Sequence, residues 1–187
     1  MAVAVQSSRI RMSQAEFEQL LPAPPFYDYI DGEAVEVNRP TVRHRDVVVC
    51  LAYTLRQYAR LQGLGLVVAD ANVKLPAGDW VGHDVTYLAP DRAELYHEEK
   101  GAIIGAPSLV IEVLSPSTAM YDRTEKLAMY EAAQVRYVWL IDQESLAVDE
   151  FQWTPDGYLR VGAVPGGQPF TPKAISWLTL NIADILG

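Results

Sequence analysis

The chain has a single cysteine, Cys50, in 187 residues, so no internal disulfide can form. Cys50 falls inside a helical pattern, where a small, buried apolar role is expected. No apolar run approaches the length a bilayer requires. The opening Met1-Ala2-Val3-Ala4-Val5 is too short for a signal-peptide core and gives way to polar residues. These absences lead us to expect a cytoplasmic protein with no membrane partner. Basic excess is also missing: 15 Lys and Arg stand against 24 Asp and Glu, for a net charge of −9. Proteins that bind through non-specific phosphate contacts are usually basic, so broad, tight DNA binding is disfavoured. A local basic patch beside an acidic site is still allowed, because the local field governs there. There is no internal repeat, low-complexity tract or linker. There is also no Gly-rich phosphate loop, no Gly-x-Ser-x-Gly elbow and no zinc spacing, so nothing points to a small-ligand binder.

What is present is ordinary globular material, with 50% hydrophobic and 21% charged residues. The length fits one domain, residues 1–187, with a full core. Residues 1–12 are expected to form a loose arm or an early strand. The most informative stretch is Pro107-Ser108-Leu109-Val110-Ile111-Glu112-Val113-Leu114-Ser115-Pro116. A short β-branched run between prolines reads as a central strand buried on both faces. Glu112 is out of place in it. A buried carboxylate costs several kcal/mol unless it is paired or neutralised. Three readings fit: an edge strand with Glu112 in water, a buried pair with an arginine, or a metal ligand.

Ser13-Gln14-Ala15-Glu16 has capping-box form and predicts a short helix to about Leu21, ended by Pro22, Pro24 and Pro25. Asp31-Gly32 between two β-prone runs predicts a tight hairpin over 27–37. Glu33 opens its second arm, either as a solvated strand-end acid or pointing inward with Val35 and Val37. From Thr41 to about Gln62 the apolar spacing is helical, with Thr41 as cap and Gly63 as stop. Arg39, Arg43, His44 and Arg45 cluster at its start. They form either a solvated basic face or a phosphate contact aided by the helix dipole.

Residues 66–70 and 72–75 read as a strand or a bulged strand pair, and Val81–Ala89 as a second strand. In that strand Asp84 should share a face with Thr86 and Leu88. Residues 90–106 read as a polar loop or short helix. Asp122-Arg123-Thr124-Glu125 has capping-box form, predicting a helix from there to Ala133. Asp122 and Lys126 would then be a surface pair worth ~0.3–0.5 kcal/mol. Val135–Asp142 is a strand, Leu146–Trp153 and Tyr158–Val164 a hairpin, 165–172 a loop, and Leu180–Leu186 a helical turn or more. This order predicts an α/β or α+β fold: a central mixed sheet flanked by helices, with an N-terminal hairpin and a C-terminal hairpin extension. Exposed strand edges and the 146–164 hairpin suggest a homodimer.

Glu33, Asp84, Glu112 and Lys126 form a constellation. Acids on neighbouring strands can converge on a divalent cation such as Mg²⁺, and a nearby lysine can orient an attacking water or neutralise phosphoryl oxygens.

At this point the sequence resembles the Uma2 family (DUF820) of the PD-(D/E)XK, restriction-endonuclease-like superfamily, from about Met12 onward. The family's opening hairpin is matched by Tyr27-Asp28-Tyr29-Ile30-Asp31-Gly32-Glu33, and its helix histidine by His44. Its Pro-Asp-Val strand is matched by His83-Asp84-Val85. Its most specific run is Glu112-Val113-Leu114-Ser115-Pro116-Ser117-Thr118, followed by Asp122, Lys126, Tyr130 and the 134–140 segment. The resemblance implies a nuclease hydrolysing DNA with Mg²⁺ or Mn²⁺; the alternative, favoured by the acidic charge and a displaced lysine, is a catalytically weak or inactive member of the fold acting as a protein-interaction module. Asp84 and Glu112 would be metal ligands with the Val113 carbonyl, and Glu33 an additional acid. Lys126 would be the catalytic lysine, displaced to the following helix, because Leu114 stands at the superfamily's usual lysine position. His83 replaces the superfamily's proline, either filling its space or reaching the site. Arg43, His44 and Arg45 would meet the DNA backbone.

Overall fold

The structure, a computed structural model, describes residues 8–20, 25–37, 40–176 and 178–186. Its N-terminal part is β1 (Arg9–Arg11), α1 (Gln14–Glu18), β2 (Tyr27–Ile30), β3 (Glu33–Glu36) and α2 (Val42–Gln62). The middle is β4 (Leu66–Lys74), β5 (Trp80–Leu88), β6 (Tyr96–His97), β7 (Ala102–Ile104) and β8 (Leu109–Leu114). Two short helices follow, α3 (Ala119–Tyr121) and α4 (Leu127–Ala132), and then β9 (Tyr137–Asp142), β10 (Val148–Thr154) and β11 (Gly157–Val164). Among the described residues the strands form one sheet with the path β1-β3-β2-β5-β8-β9-β10-β11, while β4 pairs with β5 and β7, and β6 with β7. Pairing is parallel for β4–β7 and β8–β9 and antiparallel elsewhere. This is the mixed sheet expected from the sequence.

The six residues of β8 are all buried, because helices and loops cover both faces of the sheet. On one face α2 lays Val47, Val48, Leu51, Leu55 and Ala59 against Ile111, Val113, Trp139 and Ile141. Each Val or Leu buried there contributes about 1.5–3 kcal/mol. Thr41 caps α2 by accepting from the His44 amide, and Gly63 stops it in the left-handed region. On the other face Met129 and Tyr130 pack on Val110, Leu114, Val138 and Leu140.

Of the two forms expected for residues 1–12, Arg9–Arg11 takes the strand, paired with β3, while residues 1–7 lie outside the described residues. Other expectations are corrected. The capping box at Ser13 forms, but α1 stops at Glu18; Pro22 and Pro24 lie outside the described residues. Residues 90–106 hold two 3₁₀ turns and the short strands β6 and β7. Residues 181–186 form hydrogen-bonded turns rather than a helix. Cys50 is half-buried, not buried. Asp122 is not an N-cap: the helix starts earlier, at Ala119, and Asp122–Lys126 is a π-helical turn between α3 and α4. Such a turn is wider than the α-helix and is often found at functional sites.

A candidate acid–lysine centre at a fork in the sheet

Strict alternation fails at Asp84. Val81 and Leu88 belong to the same core although seven positions separate them, and Ala71 and Val68 behave likewise on β4. Register is kept across the slip, with Ala69 opposite Val85 and Ala71 opposite His83. The two facing strands therefore shift phase together. On β4 the shift falls at Asp70, whose φ is +51°.

The same level is a fork. One neighbour of β5 is β2, paired at Tyr29–Trp80, and another is β8, paired over Val85–Tyr87. Between them the Gly82 backbone has no ladder partner from β2 or β8, so its polar groups must be satisfied by side chains. The Gly82 N–H donates to Asp28 Oδ1 at 2.8 Å, and its carbonyl accepts from Lys126 Nζ at 3.0 Å. Asp84 leaves the faces of the sheet and fills the fork. Its Oδ2 accepts from the Val113 N–H at 2.7 Å and lies 3.1 Å from His44 Nε2.

Glu112 is 2% exposed and Lys126 6%. The Lys126 ammonium lies 3.2 Å from both Glu112 oxygens and 3.6 Å from Asp122. The Tyr130 hydroxyl, one helical turn beyond Lys126, donates to Glu112. The Asp122–Lys126 pair is therefore buried, not at the surface. Burial works against the Lys126 charge. The fields of Glu112, Asp28, Asp122 and Asp84 outweigh it and hold the lysine well above its usual pKa. One ammonium cannot compensate these acids. Burial pushes Glu112 well above the usual carboxylate range, opposed by Lys126 and reinforced by Asp84 and Asp122. Asp28 and Asp122 are raised by burial as well.

The remaining sequence candidates fall around this cluster. Glu33 shares a face with Asp28 across the hairpin, but its carboxylate is taken by Arg9 at 3.4 Å and Arg11 at 3.8 Å. His44 is buried on Asp84 and not presented to solvent, and its Nδ1 has no partner among the described residues. Arg43 donates to the Gln143 carbonyl at 3.3 Å, and Arg45 is exposed. Arg39 lies outside the described residues. His83 fills the space beside Tyr130, edge to face at 5.1 Å, with Nδ1 3.1 Å from Thr86 Oγ1. Burial first, then Lys126, hold the His83 imidazole neutral.

Sequence reasoning placed Asp28 and Tyr130 in the family motifs without giving them a role, and passed over Tyr121. Asp28 is an acid inside an apolar strand, the same signal that singles out Glu112. Tyr130 stands four residues after Lys126 and shares its helix face.

The fold and this centre define a class: a mixed-sheet α/β protein with a buried carboxylate–lysine cluster where a central strand forks. Residues 14–183 match the model of the Uma2 family, described as "Putative restriction endonuclease". The chain belongs to the Uma2 family. It is 26% identical over 143 residues, 72% of each chain, to an uncharacterized protein of Synechocystis sp.. The fold is similar to that of a "putative nuclease belonging to DUF820" from Anabaena variabilis. The TM-score is 0.74 at 20% identity, covering 94% of this chain and 97% of the other.

Proposed function

We propose that this protein is a divalent-cation-dependent endonuclease that hydrolyses DNA phosphodiester bonds, using Mg²⁺ or Mn²⁺. The observation that carries this reading is the surplus of acid: buried Glu112, Asp28 and Asp122 and half-buried Asp84 face one lysine. Hard carboxylate oxygens with uncompensated negative charge suit such an ion. Asp84 and Glu112 would hold it, with the Val113 carbonyl. Among the described residues no three His, Cys, Asp or Glu side chains converge to ligate an ion, so main-chain and water oxygens would complete the set. When bound, the ion supplies a more acidic water and charge stabilisation at the phosphate. Family membership and the shared fold support the reading.

The protein's own groups take the remaining tasks. The Val113 amide and His44 fix the Asp84 carboxylate. Tyr130 fixes Glu112. Lys126 orients the attacking water and neutralises charge on the phosphoryl oxygens. Glu33 assists from the rim, and Arg43 and Arg45 at the start of α2 meet the phosphate backbone. Pairing of two chains through an exposed strand edge would give a homodimer able to cut both strands. Cytoplasmic residence fits the lone cysteine, and among the described residues no helix is long and apolar enough to cross a membrane.

The test is cleavage of supercoiled, linear, single-stranded and branched DNA with Mg²⁺ or Mn²⁺, beside Asp84→Ala and Glu112→Ala. Cutting by the parent alone is the expected result. No cutting on any substrate, with ion binding measured separately, would overturn the nuclease reading. It would favour a binding module, in keeping with a Lys126 already engaged by Glu112, Asp122 and Gly82.

A further inference from the structure

The acid that the N-terminal hairpin buries in the centre is Asp28, not Glu33. It is 2% exposed, on β2 beside the fork. Its Oδ1 accepts from the Gly82 N–H at 2.8 Å, and its Oδ2 accepts from the Tyr121 hydroxyl at 3.1 Å. Lys126 Nζ donates to the Gly82 carbonyl at 3.0 Å and lies 5.9 Å from the Tyr121 ring centroid. Asp28, Gly82, Lys126 and Tyr121 thus form a closed circuit joining β2, β5, α3 and the π-helical turn. Gly82 is held by the carboxylate at its N–H and by the ammonium at its carbonyl.

A neutral side chain could satisfy one backbone N–H at far lower desolvation cost than a carboxylate. Among the described residues Asp28 has no ion pair of its own, so its charge acts across the circuit on Lys126. Gly82 is two residues from Asp84, so holding Gly82 also fixes the segment that delivers the Asp84 carboxylate to the fork.

We propose that Asp28 is a positioning residue of this centre: acting through Gly82 and Lys126, it fixes the ammonium and the Asp84 segment without touching substrate. Its kinetic consequence rests on the nuclease reading, but its effect on Lys126 does not.

The decisive variant is Asp28→Asn, which keeps size and a hydrogen-bond acceptor for Gly82 and removes the charge. Tyr121→Phe is the milder partner: it removes the hydroxyl and leaves the Gly82 bond. Each is examined well below its melting temperature. Lys126 acetylation by acetic anhydride is read by mass spectrometry against exposed Lys100. Asp28→Asn is expected to raise Lys126 labelling several-fold, with Tyr121→Phe raising it less. For DNA cleavage we expect kcat to fall about 10–100-fold in Asp28→Asn with KM unchanged, the usual cost of losing a group that supports a site residue. Parental labelling in a folded Asp28→Asn protein would overturn the proposal. If that variant does not fold, parental labelling in Tyr121→Phe would do so. A fall confined to KM would also overturn it, because it would place Asp28 on the DNA. If the parent cuts no DNA, the nuclease reading fails and the labelling alone decides the role of Asp28.

Discussion

Replacing Lys126 with methionine tests the charge count at the fork most directly. Methionine keeps the aliphatic stem and removes the ammonium. Glu112 loses the cation at 3.2 Å, Asp122 the one at 3.6 Å, and the Gly82 carbonyl its donor at 3.0 Å. Removing one partner of a buried ion pair costs about 3–5 kcal/mol, because the remaining charge stays buried and unpaired. In a chain of this size each kcal/mol is worth about 2–4 °C, so melting should fall by about 6–20 °C at pH 8. The loss should depend on pH with a definite sign. Glu112, Asp28 and Asp122 carry pKa values raised by burial, so the folded chain holds protons that the unfolded chain has released. Their contribution is fully favourable below the unfolded value of about 4 and is lost as pH rises through the folded values. Without Lys126 those values rise further. The gap between parent and variant should therefore be smallest near the unfolded value and largest at pH 8. Urea unfolding with EDTA at several pH values measures it. A variant within about 1 kcal/mol of the parent at pH 8 would refute the picture of one ammonium serving several buried acids.

Removing an acid should act the opposite way. Glu112→Gln relieves the most crowded carboxylate while Asp28, Asp122 and Asp84 still face Lys126, so the metal-free protein at pH 8 should be as stable as the parent or more so. Any Mg²⁺-dependent rise in melting temperature should vanish in the same variant. A large loss of stability would count against the surplus of acid. Away from the centre, Glu150 anchors the C-terminal segment. It accepts from Trp139 Nε1 at 3.0 Å and from the Lys173 and Ala174 amides at 2.9 Å. Glu150→Ala strands these donors at about 1–3 kcal/mol apiece, so a loss of about 3 kcal/mol or more is expected, with faster amide exchange at Lys173 and Ala174. Unchanged exchange there would show that the apolar contacts of Ile175 and Leu178 hold the segment unaided.

Local chemistry made part of this protein readable in advance. The Thr41 cap, the apolar stripe and Gly63 define α2 because each acts within a few residues. Asp31-Gly32 defines the hairpin because its turn needs positive φ, and both residues have it, at +50° and +80°. Leu109–Leu114 announces a buried strand because only a strand covered on both faces suits a continuous apolar run. The acid within that run announced a site candidate for the same reason.

What depends on strands meeting was not readable. Asp84 departs from the alternation expected of it because β4 and β5 slip together, and neither strand's own pattern records the partner's slip. Asp122 looked like a cap, and became a buried acid only because the helix begins earlier and widens into a π-helical turn over Glu112. Glu33 and Asp28 stand on one face of one hairpin. Tertiary placement gave Glu33 to Arg9 and Arg11, and gave Asp28 to the backbone of a strand that at Gly82 pairs with β4 but with neither β2 nor β8. The sequence by itself determined the elements and the charged residues available, because propensity, capping and burial pattern are local. Which acids share one lysine was decided by the tertiary structure, because Coulomb energy and desolvation depend on distances that only the assembled sheet sets.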